Sequence, residues 1–245
     1  MFGIERLDAS FVHYSLFIIN TMSAIAIINR EEKKISVSAR LFFYGNHAST
    51  ELGQAICDEI SLMYNDADAI VSLEDGEYSV FFDIKFAVVE GTDIVDLIKF
   101  NRDHRNNFIR IEEKNHAERS FMGFGLGDNV GHWLISDNLG KSTTAAHEFG
   151  HGLGLDHPKD VDLRGRGVPP IMAPRGTLVD AQYQWAPTAI AGEFGGTLQP
   201  LHRRVKEEEV LQIFDNLIFT KENMYKIGHL SNILFDQIGN PLKIF

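Results

Sequence analysis

Residues 147–157 read HEFGHGLGLDH, and this stretch organises everything around it. On a helix, positions i and i+4 share a face, so His147 and His151 present two imidazoles in one direction. Glu148 is rotated by about 100° from His147, which sets it beside whatever the imidazoles hold rather than on it. Gly154 supplies a left-handed residue at which the helix can end and the chain can turn. That turn brings His157 back as a third imidazole.

Three imidazoles with an open fourth position form the donor set of a catalytic zinc site, whereas structural sites are closed by four protein ligands. The metal ligands expected are therefore His147, His151 and His157, the cofactor one catalytic Zn²⁺, and the catalytic residue Glu148. In this reading Glu148 is the general base that accepts a proton from a water activated by the metal as it attacks a carbonyl. Peptide bond hydrolysis follows. A histidine-rich surface helix end and a purely structural zinc site are the competing readings, and the second could dispense with the glutamate. The other histidines (His13, His47, His104, His116, His132, His202, His229) fall at no ligand spacing.

Working outward, the helix is expected over Lys141 to Leu153, with Ser142 or Thr143 as N-cap. Before it, SFMGFGLG (120–127) and GHWLISD (131–137) predict two short strands across a glycine-rich turn. Further upstream, Ala24 to Asn29 and the period-two alternation of Ile35 to Phe43 predict a hairpin. A capped helix from Ser49 follows, with Leu52, Ile56, Ile60 and Met63 on one face. Glu77 to Glu90 predicts a long strand, Asp93 to Phe100 a short helix, and Phe108 to Glu112 another strand. Downstream, Gly154 to about Pro200 is irregular, Lys206 to Leu217 predicts a last helix, and a tail runs from Thr220 to Phe245. The fold class is α/β in the α+β sense: a twisted mixed sheet with an active-site helix, then a smaller irregular C-terminal subdomain ending in a helix. One catalytic domain is expected over 1–245, with an upper subdomain at 1–153 and a lower subdomain at 154–245.

The chain's 245 residues are 44% hydrophobic and 23% charged, a globular composition that excludes disordered and collagen-like classes. The net charge of −11, without a long cationic run, argues against nucleic acid as a partner. The single cysteine, Cys57, excludes an internal disulfide framework and a cysteine zinc cluster. Inside the helix from Ser49 it is expected to be a buried thiol. Ala9 to Asn29 carries no formal charge, and Ala24-Ile25-Ala26 has the form of a signal-peptidase site. The net-negative MFGIERLD before it and the polar residues within it favour a buried strand or helix over a signal peptide or a membrane span.

HExxHxxGxxH followed by a methionine turn resembles the metzincin metallopeptidases, the turn here being Ile171-Met172-Ala173-Pro174, 172 − 157 = 15 residues on. The resemblance is specific over Gly131 to Pro174 and does not cover the first thirty residues or the chain after Leu217. It implies a zincin-like fold, with Met172 beneath the three histidines and a protein or peptide substrate. That substrate would be added as a strand along Phe121 to Gly127, its next side chain entering an apolar pocket walled by Pro174 to Trp185. His157-Pro158 is similar to the serralysins, but Pro174 stands where they have a tyrosine, and Met-Ala-Pro is closer to the matrix metallopeptidases. Tyr183, which could reach an oxyanion, is expected to be pocket wall. Gly131 to Pro158 also resembles metallopeptidase domains of bacterial polymorphic toxins. With that likeness go secretion or delivery outside the producing cell and an inhibitor or immunity protein as partner, while the cysteine content leaves the compartment unread. Two alternatives stand beside a general endopeptidase: a toxin effector with one narrow protein target, and a zinc-containing module that binds peptides without turnover.

Overall fold

The computed structural model describes residues 22–215, 217 and 223–245. The chain begins there with β1 (Met22–Asn29) and β2 (Lys34–Tyr44), the antiparallel hairpin expected from their β-forming residues. Along β2 burial alternates, with Ile35, Val37, Ala39, Leu41 and Phe43 facing the core. Helix α1 (Thr50–Asn65) then crosses over, its first turn capped by Ser49 Oγ accepting from Leu52 N at 3.2 Å. Next come β3 (Ile70–Leu73) and β4 (Gly76–Val88), α2 (Asp93–Lys99), β5 (Asn106–Glu112), β6 (Phe121–Met122) and β7 (Val130–Leu134). A 3₁₀ turn, Ile135–Asp137, leads to α3 (Thr144–Gly152). After a long irregular stretch come α4 (Glu207–Phe214), β8 (Met224–Gly228), β9 (Ile233–Phe235) and β10 (Pro241–Lys243).

Among the described residues the result is a mixed eight-stranded sheet that splits at β2. One edge of β2 pairs in parallel with β4. The other edge is shared, antiparallel to β1 over Lys34 to Ser38 and parallel to β5 over Arg40 to Tyr44. The β5 branch continues through parallel β7 to antiparallel β6, which ends the sheet beside α3. Helices α1 and α3 pack against each other on one face through Tyr64, whose hydroxyl donates to Ala146 O at 3.2 Å and whose ring meets Phe149 edge-on at 5.6 Å. Ile171, Met172, Val210 and Ile213 join the same hydrophobic cluster as the sheet residues, so the segment after 153 closes one shared core.

Several expectations need correcting. The strand at 77–90 has an antiparallel partner, β3, across Asp75-Gly76; an Asp-Gly between β-forming residues is a hairpin signal. The second short strand ends at Leu134 and its last three residues form the 3₁₀ turn. Helix α3 begins at Thr144 rather than Lys141, and α4 is shorter than 206–217. The C-terminal region does not end in a helix: β8 returns to pair with β1, and β9 and β10 form a hairpin. Of the apolar run at 9–29, residues 22–29 are strand and the rest lies outside the described residues. Ala24 and Ala26 are wholly buried, so a cut there would sever a strand paired on both edges. Among the described residues no helix is long and apolar enough to cross a membrane.

Candidate metal centre

Helix α3 carries His147, Glu148 and His151, and its C-terminal end follows from its own sequence. Gly154 lies at φ +94°; its N–H donates to His151 O at 3.0 Å and that of Leu155 to Gly150 O at 2.9 Å. This is the paired closure of a left-handed glycine cap. The turned chain delivers His157, whose Nε2 lies 3.1 Å from His151 Nε2 and 3.2 Å from His147 Nε2. Gly150 is needed inside the helix for a different reason. A Cβ there would sit 2.5 Å from Met172 Sδ and 2.8 Å from the Tyr64 hydroxyl, so the methionine turn packs directly on the helix backbone.

The hydrogen bonds on the far side of each ring decide what the three nitrogens can accept. His147 Nδ1 is 2.7 Å from Ile171 O and His151 Nδ1 is 2.9 Å from Leu155 O. A carbonyl can only accept, so both Nδ1 atoms carry the proton and both Nε2 atoms present lone pairs. His157 Nε2 can donate to one of them at most. Burial also pushes the pKa of all three imidazoles below the ordinary histidine value, strongly for His147. Converging bare lone pairs on neutral rings repel unless a cation lies between them, and this group could hold a metal ion.

Glu148 is 8% exposed, and its carboxyl makes no hydrogen bond among the described residues. Burial raises its carboxyl to about pKa 8 against the opposing pull of Arg203. It lines a cleft of about 360 Å³ with the three histidines, Phe121 and Met122 of β6, Leu126, Pro174 and three arginines. The edge strand expected at 121–127 thus does border the site, although only Phe121–Met122 is strand. Pro174 and Arg175 form a section of the wall, while Trp185 lines an adjoining cavity of about 350 Å³. Tyr183 lines neither: it packs with Leu163, Ala173, Val179 and Leu198, 5.8 Å from the His202 ring. His132, at no ligand spacing, is a core residue between Asn115 Nδ2 and Gln237 O. Cys57 is buried and free, with burial pushing its thiol up to about 12.

The N-terminal end of α3 is held by residues with no motif to announce them. Thr143 occupies the cap position at φ +67° and makes no side-chain cap, a strained conformation for a β-branched residue. Its hydroxyl instead donates to Pro200 O at 2.6 Å and accepts from Arg203 Nε at 3.0 Å. Ser142 Oγ donates to Asp137 O at 2.5 Å and accepts from Thr144 N at 3.3 Å, while the Ala146 N–H is taken by Glu59 of α1 at 3.1 Å. On the opposite side Glu209 of α4 accepts from Ile171 N at 3.0 Å and Met172 N at 2.8 Å. It thereby fixes the carbonyl that orients His147. Glu209 also accepts from Lys206 N at 2.9 Å, half of a capping box whose usual Ser or Thr is here a lysine, so the sequence carried no cap signal for it. The upper rim is tied to both ends of the described chain, since Gly127 O accepts from Ser23 Oγ and His229 N, and Gly127 N donates to His151 O at 2.7 Å.

No family model matches the chain, and no curated protein is significantly similar to it.

Proposed function

We propose that this protein is a zinc-dependent endopeptidase of metzincin type with a zincin-like fold. The observation that carries the reading is the convergence of three Nε2 atoms, two of them with bare lone pairs, beside a buried carboxyl in an open cleft. Zinc suits the donor set: tetrahedral Zn–N bonds of about 2.0 to 2.1 Å leave the nitrogens roughly 3.3 Å apart, close to the 3.1 and 3.2 Å found. The element order of strand, helix, strands and active-site helix also supports the family likeness, as does Met172 packed on α3.

His147, His151 and His157 would hold the ion, which when bound lowers the pKa of water and polarises a carbonyl. Glu148 then does the proton work. Burial raises the basicity of Glu148, while Arg203 and a bound cation would favour the ionised form that can take a proton from the attacking water and pass it to the leaving amine. Edge strand β6 offers backbone groups to an extended peptide without reading its sequence.

The test pairs composition with turnover. Purified wild type should carry one zinc per chain and cleave denatured casein in a chelator-sensitive way. His151→Ala should lose most of its zinc, whereas Glu148→Ala should keep zinc and fold but lose at least about 10² of its rate. Full zinc occupancy in His151→Ala, or wild-type turnover by Glu148→Ala, refutes the reading.

A further inference from the structure

The cleft runs against the charge of the rest of the molecule. The chain as a whole is at −11, yet the cleft is lined by Arg119, Arg175 and Arg203, and the adjoining cavity adds Lys141. Only Asp137 and Glu148 oppose them there. Asp137 is heavily committed: its Oδ2 accepts from Ser120 N at 2.9 Å and Ser120 Oγ at 2.6 Å, and its Oδ1 takes Arg175 Nη2 at 2.5 Å. Arg119 and Lys141 form no ion pair among the described residues. Arg203, 2% exposed, spends Nε on Thr143 and Nη1 on Ala173 O. Its Nη2 has no hydrogen-bond partner among the described residues.

Arg175, Asp137 and Thr144 line both cavities, so the Arg175–Asp137 pair stands at their junction. An apolar side chain entering here would strip water from cationic donors and return no hydrogen bonds. A carboxylate would receive charge-assisted bonds in the fork geometry that guanidinium groups favour. The cleft is thus mixed, apolar towards β6 and cationic towards Pro174–Arg175.

We propose that the cleft selects peptides with an acidic side chain, Asp or Glu, immediately beside the bond presented to the three histidines, and that Arg175 and Arg203 receive its carboxylate. This rests on the peptidase reading, and its test must separate the two. Zinc-loaded Glu148→Ala is titrated, by fluorescence anisotropy, with peptides that differ only in carrying Glu, Gln or Leu at each position in turn. Wild type is assayed for cleavage of the same set. At one position the Glu peptide should bind at least about tenfold more tightly than its Gln and Leu counterparts, the advantage shrinking as salt rises. Arg175→Gln, a change at a half-exposed residue, should remove most of that advantage, and Arg175→Lys, which keeps the charge but not the fork, should remove part of it and serves as a second variant if the first lowers thermal stability. Equal or weaker binding of every Glu peptide overturns the proposal, as does faster cleavage of the Leu peptides by wild type, which would leave the peptidase reading intact. Preferential binding of Glu peptides with no cleavage by wild type refutes the peptidase reading alone.

Discussion

At its C-terminal end α3 is closed chiefly by residues within a few positions of one another, namely the Gly154 turn, the backbone bonds to Gly150 and His151, and His157 folded back, with Gly127 N adding a bond to His151 O from the upper rim. Its N-terminal end is held from elsewhere, by Glu59 on α1 and by Arg203 through Thr143. The chemistry differs as well. The C-terminal end is made of backbone groups and neutral imidazoles, while the N-terminal half gathers the buried ionisable groups Glu59, Glu148, Asp137 and Arg203. One end should therefore answer to metal and local backbone changes, and the other to pH and distant substitutions.

The largest effect should come from the charge on Glu148 in metal-free protein. Its folded pKa of about 8 lies above the ordinary value of 4.5. Between those values the folded state holds a proton that the unfolded state releases, so this group's stability contribution is full below pH 4.5 and is lost as pH rises towards 8. Glu148→Gln removes the dependence. Its stability relative to wild type should climb across that window by about 1.4 kcal/mol per unit of pKa difference, several kcal/mol in all, measured by urea denaturation in chelator. The depressed histidine pKa values act oppositely, destabilising the fold as pH falls below 6.5, but they are common to both proteins and cancel. A difference that is flat with pH would show that Glu148 is not buried in the way the comparison requires.

Glu59→Ala is the next step down. It removes the acceptor of the Ala146 N–H and leaves a cavity between α1 and α3, a loss of about 2 to 3 kcal/mol. The midpoint of thermal unfolding should fall by roughly 5 to 10 °C. Because Ala146 precedes His147, affinity for a metal ion at the three histidines should weaken too, in a competition titration against a chromogenic chelator. Unchanged stability would mean that the N-terminal end of α3 is closed locally after all, and the contrast between the ends would fail.

The same contrast explains what could be read in the sequence. His147, His151, Gly154 and His157 lie within one helical turn and its cap, so spacing alone fixes their relation. The hairpin β1–β2 and helix α1 were legible for the same reason, each carrying its own periodicity and cap. Glu59, Arg203 and Glu209 act across 87, 60 and 38 residues of chain, and in the sequence each is one charged residue among many. Glu209 sits in a run of three glutamates of which it alone is buried. Strand β8 pairs with β1 some two hundred positions earlier, and its five residues carry too little alternation to stand out from a tail.

The smallest effect tests the local end by itself. Gly154 is exposed at φ +94°, and nothing lies within 4 Å of where a Cβ would be. A substitution therefore meets no clash, and its cost is purely that of holding an L residue in the left-handed region. For alanine this is about 1 kcal/mol, or roughly 2 to 4 °C in a chain of this size. Asparagine tolerates that region better, so Gly154→Asn should cost less than Gly154→Ala even though its side chain is larger. The order, read from thermal unfolding of the metal-free proteins, matters more than either value. If Asn cost more than Ala, size would be controlling the outcome and the end of α3 would be packed rather than open. If Gly154→Ala cost more than Glu59→Ala, local closure would outweigh the tertiary clamp, and the two ends of the helix would have exchanged roles.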